Sequence, residues 1–481
     1  MTFKFAGARA QVCKFCKFLV ARTDRGLATV GKVADLVELP SPLALGVLGR
    51  WGQQRFEVEG RVQLDREGAP GAPWQEFFVG FPETGDWTWI AFAQGRWYAT
   101  RAVPNPPPLP GIHQLRPGMQ INLGQLGAFT VAEVGRRRVV SAEGELPQVA
   151  RPGAVTPYAD LGGPNGAFGT IDYGDGAGVP TQLFLGRQFD PQTIRLDSGQ
   201  PLEMPQAQAG AVDCPNCGGS LPLVAPGTTE RVVCKYCGTT SDVKEHGKLL
   251  QAIGQAPRPP VEPYVPLGKE GQLRGNKVIC IGFVVRGCTV DGERYRWREY
   301  LLYAGPTLAY FWLIEEEGRW QLVTTVGPGD VQVQGSSAVY RGQHYTLKQS
   351  VQAQVEYVIG EFYWKVEIGE AVQATEYSGP GGNVSVESGQ GEINTSFCQP
   401  MDGKELALAF GLPPPPAAFG GGALASFGGD SGSGSSFGVG RILVWAIVVL
   451  VVILLLAVGE CGDGSSGTSG GIYVGPGFGG K

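Results

Sequence analysis

Four cysteines carry the clearest chemistry in this 481-residue chain. Cys214 and Cys217 form one C-x2-C pair, Cys234 and Cys237 a second, and sixteen residues separate the two. That spacing falls in the range of four-thiolate zinc sites. Zn2+ takes four soft ligands in a tetrahedron, and each C-x2-C turn can aim two sulfurs at one point. Gly218 and Gly238 follow the second cysteine of each pair, where a tight turn calls for a positive φ. The alternatives are two disulfides or four unliganded thiols, and a reducing cytoplasm disfavours the disulfides. The spacing predicts a structural Zn2+ site with no open position for a substrate.

Cys13 and Cys16 form a third pair, and Val12-Cys-Lys-Phe-Cys16 resembles Val233-Cys-Lys-Tyr-Cys237. It reads as the second half of the same ribbon, but Met1 to Gln11 hold no cysteine to supply the first half. Three readings of this second metal site stay open. It is a degenerate remnant, or the start has been placed too late, or the pair borrows ligands from another chain. Cys280, Cys288 and Cys398 lack ligand spacing and read as small buried hydrophobes.

The elements that must position these cysteines are β-strands. Phe56, Val58, Val62 and Leu64 alternate with Arg55, Glu57, Glu59 and Arg61, and Phe362, Trp364, Val366 and Ile368 do the same with Glu361, Lys365 and Glu367. Period two with one polar face marks half-buried antiparallel strands. With 75 Gly and 36 Pro, about twice the usual share, the chain is rich in turns and poor in long helices. A short helical stretch is expected around Gly31 to Glu38. The run Pro104 to Gly111 (PNPPPLPG) is expected as an exposed loop.

The chain also repeats, at about 222 residues. Leu45-Gly46 matches Leu267-Gly268, Trp74-Gln-Glu-Phe77 matches Trp297-Arg-Glu-Tyr300, and Gly95-Arg-Trp97 matches Gly318-Arg-Trp320. A period this long means two copies of a whole domain. The fold expected is mostly β: two duplicated antiparallel sandwich or small-barrel modules, a zinc ribbon between them, and one C-terminal transmembrane helix. That helix is Ile442 to Val458, seventeen apolar residues without a charge, at the lower limit for a span. Arg441 before it and Glu460 and Asp463 after it place the large N-terminal part on the cytoplasmic side.

The expected boundaries follow from composition. Residues 1–43 hold the half-ribbon, 44–206 the first β module, 207–250 the four-cysteine ribbon and 251–266 a Pro-rich linker. The second β module is 267–410. A Pro/Gly/Ser-rich stalk covers 411–440, the transmembrane helix 441–459 and a Gly-rich tail 460–481.

The knuckle running into Arg22–Leu36, then W-x-E-[FY], G-x-W and a Gly-Pro-Gly-Gly turn, resembles the bacterial domain-of-unknown-function family 4178. Both copies resemble it. The family has no established activity. Its members are often membrane-linked, and their genes often neighbour those of a small multi-span membrane protein, polyamine-synthase-like enzymes and a membrane-stress coat protein. The resemblance implies a part in a membrane-associated bacterial system.

No catalytic constellation appears, and a net charge of −5 excludes a chain-wide grip on nucleic acid. The leading expectation is a non-catalytic scaffold at the cytoplasmic face of a bacterial inner membrane, anchored through 441–459, with structural Zn2+ and protein partners. One alternative is a small-molecule sensor or enzyme with a pocket holding Glu76 or Glu299. These glutamates are otherwise expected to face water or pair locally, beside core-filling Trp74 and Trp297. The other alternative is nucleic-acid binding by the ribbon through Arg231, Lys235, Lys244 and Lys248.

Overall fold

The computed structural model describes residues 3–415 apart from 7, 24–25, 35, 37–38, 40, 68–72, 94–95, 177–178, 203–210, 226–227, 245–248, 258–260, 306–309 and 390. Two eight-stranded antiparallel barrels dominate it. The first is built from β1 (Gln54–Arg66), β2 (Trp74–Phe81), β3 (Asp86–Ala93), β4 (Arg96–Ala102), β5 (Ala128–Leu146), β6 (Val155–Gly162), β7 (Ala167–Asp172) and β8 (Gln182–Phe189). Its staves run in the order β1-β2-β3-β4-β8-β7-β6-β5, and β5 closes on β1. The second uses β9 (Asn276–Val290), β10 (Glu293–Tyr303), β11 (Tyr310–Glu316), β12 (Arg319–Val326), β13 (Gln343–Phe362), β14 (Ala371–Gly379), β15 (Gly382–Ser388) and β16 (Ile393–Met401). Its order, β9-β10-β11-β12-β16-β15-β14-β13 and back to β9, is the same. The internal repeat is therefore a repeat of two barrels. Gly46 N donates to Val58 O at 2.8 Å and Gly268 N to Cys280 O at 2.7 Å, both pairs 222 residues apart.

Alternation in β1 is broken by a bulge. The register shifts between Val58 and Gly60, which sends the residues before and after it to opposite faces. Phe56 and Val58 pack outside with Leu43, Phe77 and Ile194, whereas Val62 and Leu64 join Phe78, Trp89 and Phe184 inside. The single apolar face expected for 55–64 is thus two faces, both buried. The bulge lies beside the tight crossing of β1 and β5, where a Cβ on Gly60 would sit 2.0 Å from the Glu145 carbonyl. Only glycine fits there.

Each barrel holds an acid–arginine–acid bridge across its interior, which an eight-stranded barrel fills with side chains. In the first, Arg137 on β5 meets Asp172 on β7 at 2.8 Å and Glu76 on β2 at 3.4 Å. In the second, Arg286 on β9 meets Glu299 on β10 and Glu387 on β15, each at 3.3 Å. Glu76 and Glu299 follow the same tryptophan and accept its indole N–H, at 3.1 and 2.7 Å. Asp172 and Glu387 also correspond, opposite Gln182 and Asn394 of the following strand. The arginines do not correspond. Leu64 pairs with Trp74 as Arg286 pairs with Trp297, so Leu64 holds the place of Arg286. Likewise Ala353 holds the place of Arg137, two residues before Val139 and Val355, the β-partners of Leu64 and Arg286. The bridge is kept while the cation moves to the neighbouring stave.

The barrels meet along β5, β6 and the turn at 327–330 and β15–β16. Val134 N donates to Gly391 O at 2.8 Å, Asn165 N to Asp330 Oδ1 at 2.7 Å, and Arg96 Nη2 to Thr325 O at 2.9 Å. Glu133 and Glu392 form an antiparallel bridge at this seam. Burial, with the nearby Glu133 carboxylate, pushes the Glu392 carboxyl up to about 7, against the pull of Arg66. An acid whose folded pKa is raised binds its proton more tightly when folded. Its contribution to stability is therefore full at low pH and falls as pH rises from about 4.5 through 7. Glu392→Gln is expected to stabilise the chain at pH 8 by roughly 1–3 kcal/mol and to change little at pH 4. Urea melts of both proteins across that range check it, and equal pH slopes would refute it.

Three expectations need correction. Gly31 and Lys32 end a strand, Gly26–Lys32, not a helix. Pairing with Phe18 and Leu19 decides this locally. Residues 251–255 belong to the strand Leu249–Gln255. Beyond it, Val265 is wholly buried against the second barrel and Tyr264 packs, tilted, against Trp320, so the end of the Pro-rich stretch is packed, not free. Alternation through 362–368 does not make a strand there, because β13 ends at Phe362. Arg231 Nη1 donates to the carbonyls of Lys365 and Val366 and holds that segment as a loop. The run 104–111 is a loop as expected. Among the described residues no helix is long and apolar enough to cross a membrane. The segments 441–459 and 460–481, and almost all of the stalk 411–440, lie outside the described residues. The helix α1 (Gly403–Phe410) packs Phe410 against Gly271.

Candidate metal centre

The centre is made by two hairpins. Ala211–Asp213 pairs with Ser220–Pro222 around Cys214–Cys217, and Arg231–Val233 pairs with Thr239–Lys244 around Cys234–Cys237. In each knuckle the first cysteine's carbonyl accepts the glycine amide, at 2.9 Å from Gly218 and 2.8 Å from Gly238. Those glycines have φ of +68° and +77°, a conformation an L side chain resists. The first cysteine's amide then donates across the hairpin, to Gly219 O and Thr239 O, both at 2.9 Å.

All four Sγ atoms lie within 4.8 Å of one another, with Cys214–Cys237 at 3.6 Å and Cys217–Cys234 at 3.7 Å. A tetrahedron of Zn–S bonds of about 2.3 Å has edges of about 3.8 Å, so the donor set and its spacing suit Zn2+. Cys214 and Cys234 are buried with Leu221, Leu223 and Val232, which form the ribbon's small core. Donation from the Thr239 hydroxyl and amide draws the Cys237 thiol down to about 6, while burial pushes Cys234 up to about 12. The tetrahedron uses all four sulfurs of the cluster, and among the described residues no further metal-ligating group joins it.

The ribbon is fastened to the second barrel, not suspended between the two. Its strand Arg231–Val233 adds to the end of β13 at Gly360–Phe362. Glu361, 3% exposed, accepts the amides of Val224 and Ala225 at 2.8 and 2.7 Å and the Thr229 hydroxyl. Burial raises its carboxyl, against these three donors. Arg231, also 3% exposed, is clamped by Asp242 at 2.8 Å and Glu367 at 3.2 Å. It is spent inside, so the basic patch expected on the ribbon loses it. Glu361→Leu would leave the amides of Val224 and Ala225 without their acceptor, at a cost of about 1–3 kcal/mol each, while the Thr229 hydroxyl keeps the Ala225 carbonyl at 2.8 Å. A loss of roughly 3 kcal/mol in urea unfolding is expected, with Glu361→Gln recovering part of it. An unchanged midpoint would show that Glu361 does not tie the ribbon down.

Sequence reasoning missed Glu361 and its counterpart. Glu145, also after a left-handed glycine (Gly144), accepts the amides of Lys4 and Phe5 beside the first knuckle. The repeated Gly-Glu at 144–145 and 360–361 was the available signal. Cys13 and Cys16 do form a knuckle, in the hairpin Ala10–Val12 and Phe18–Thr23. Among the described residues the only cluster of three or more metal-ligating groups is the four-cysteine one. Cys280, Cys288 and Cys398 are buried, and burial raises all three thiols. Glu76 and Glu299 pair locally with indole and guanidinium, but toward the barrel interior, not toward water.

The second barrel starts at β9, and Val265 is buried against it beside Cys280. The comparison with protein families covers this same stretch. Residues 266–402 are one copy of the domain of unknown function DUF4178. The DUF4178 match takes in β9 to β16 and leaves the ribbon and the first barrel outside it. No curated protein and no solved structure matches the chain.

Proposed function

We propose that this protein is a non-catalytic, membrane-anchored scaffold of a bacterial inner membrane, serving a membrane-stress system. The apolar run 441–459 is its anchor, and the barrels and ribbon face the cytoplasm and present their outer surfaces to protein partners. The ribbon metal is Zn2+ in a structural role. The first barrel is a second, diverged copy of DUF4178, a reading supported by its identical stave order. The observation that carries the scaffold reading is the use made of Glu76 and Glu299. The acids a pocket would need are spent on interior arginine bridges in both copies.

The test is affinity purification of the full-length chain from its own membranes after cross-linking, beside a Cys214→Ser/Cys234→Ser variant and an unrelated single-span bait. A reproducible partner set absent from the unrelated bait and reduced in the variant supports the proposal. The same set on both baits, or substrate turnover by the purified chain, ends it.

A further inference from the structure

We propose that Cys13 and Cys16 are half of a second metal site, closed by Cys13 and Cys16 of another copy of this chain. The first knuckle has the geometry of a complete site. Cys13 O accepts the Lys17 amide at 2.9 Å, and Cys13 N donates to Phe18 O at 2.9 Å, matching both knuckles of the ribbon. Lys17 holds φ +60° where the ribbon uses glycine. A left-handed lysine costs about 1 kcal/mol or more, and the knuckle keeps it.

Among the described residues no third metal-ligating group joins Cys13 and Cys16. Within the ribbon, the Tyr236 ring lies against Gly219 of the opposite knuckle, where a Cβ would come within 2.5 Å of it. Phe15 holds the place of Tyr236 and is 85% exposed, against 45% for Tyr236. Phe18, in the place of Gly219, is an exposed apolar residue too.

The ribbon also shows how two such halves meet. The first cysteine of one knuckle lies beside the second cysteine of the other, Cys214 to Cys237 at 3.6 Å and Cys234 to Cys217 at 3.7 Å. The two knuckles are thus related by an approximate two-fold rotation. Replacing both with the Cys13–Cys16 knuckle makes the rotation a true one, the symmetry of an isologous dimer. In that dimer Phe18 carries a side chain where Gly219 has none, so the Phe15 rings would swing aside from the Tyr236 position, and each copy's exposed Phe15 and Phe18 would be covered by the other. Four thiolates around Zn2+ carry a net charge of about −2 once the four thiol protons have gone to solvent. Lys14 and Lys17, flanking Cys13 and Cys16, answer that charge from both copies.

The experiment uses the full chain in detergent, with a phosphine reductant to exclude disulfides and a small excess of Zn2+ removed before analysis. About 1.5 zinc per chain is expected, one in the ribbon and half of a shared ion, together with a dimeric mass by light scattering. Cys13→Ser/Cys16→Ser should give about 1.0 zinc and a monomer, and Cys214→Ser/Cys234→Ser about 0.5 zinc and a dimer. The latter pair separates failure here from failure of the ribbon as a zinc site. Phe15→Asp leaves all the sulfurs in place and should weaken the dimer by tenfold or more. Equal mass for wild type and Cys13→Ser/Cys16→Ser would overturn the proposal, as would a monomer with about 1.0 or 2.0 zinc per chain.

Discussion

Stripping the metal from the four-cysteine centre, or replacing Cys234 with serine, is expected to unfold the ribbon while both barrels stay closed. The ribbon's own core is Leu221, Leu223 and Val232 beside Cys214 and Cys234, too little to order two knuckles unaided. Structural zinc in zinc-finger peptides contributes an apparent free energy of about 10–16 kcal/mol at neutral pH. Without it, four thiols would crowd within van der Waals distance, and Cys237, drawn down to about 6, would carry a charge with no cation to hold it. Hydrogen exchange reads the result. Amides of Cys214, Gly218, Cys234 and Gly238 should lose protection by several orders of magnitude, and those of β9 and β10 should keep it. Protection unchanged in a demonstrably metal-free chain would show that the centre does not hold the ribbon. Cys280→Ala and Cys398→Ala serve as controls and should leave metal content untouched.

The parts of this architecture that were legible in the sequence are those that repeat with the same residue types. The knuckles could be read because a four-cysteine cluster that could hold a metal fixes both residue and spacing. The duplication could be read because Trp74/Trp297 and Gly46/Gly268 hold equivalent places. What could not be read is whatever depends on register. A single bulged residue near Glu59 exchanges the two faces of β1, and no period-two pattern reports it. The segment at 251–266 has a linker's composition, yet Tyr264 and Val265 are held against the second barrel, Tyr264 by Trp320 and Tyr300. The arginine bridges were hidden for a sharper reason. Aligned by sequence, Leu64 against Arg286 and Arg137 against Ala353 look like two unrelated substitutions. Only strand pairing shows that one compensates the other.

That compensation sets up the second large effect. Arg286→Met is expected to destabilise the second barrel by about 3–5 kcal/mol, the usual cost of removing one partner of a buried ion pair. Arg286 is its interior cation, lying 3.3 Å from both Glu299 and Glu387. Burial already raises the Glu299 carboxyl, and Arg286 is the chief group opposing that rise. Without the arginine, the buried Glu299 would be left as an uncompensated charge. The penalty should therefore be smaller at pH 5 than at pH 8. Adding Glu299→Gln and Glu387→Gln should recover most of the loss at pH 8, because the uncompensated charge, not the missing contact, is what costs. The first barrel supplies the decisive companion. Arg137→Ala should fail in the same way, and Leu64→Arg added to it rebuilds the second barrel's arrangement on the first. If the double variant melts no higher than Arg137→Ala alone, the two bridges are not the same device, and the exchange of Leu64/Arg137 for Arg286/Ala353 is coincidence. If it recovers half the loss or more, one interior charge pattern has been kept in both copies while its cation changed staves.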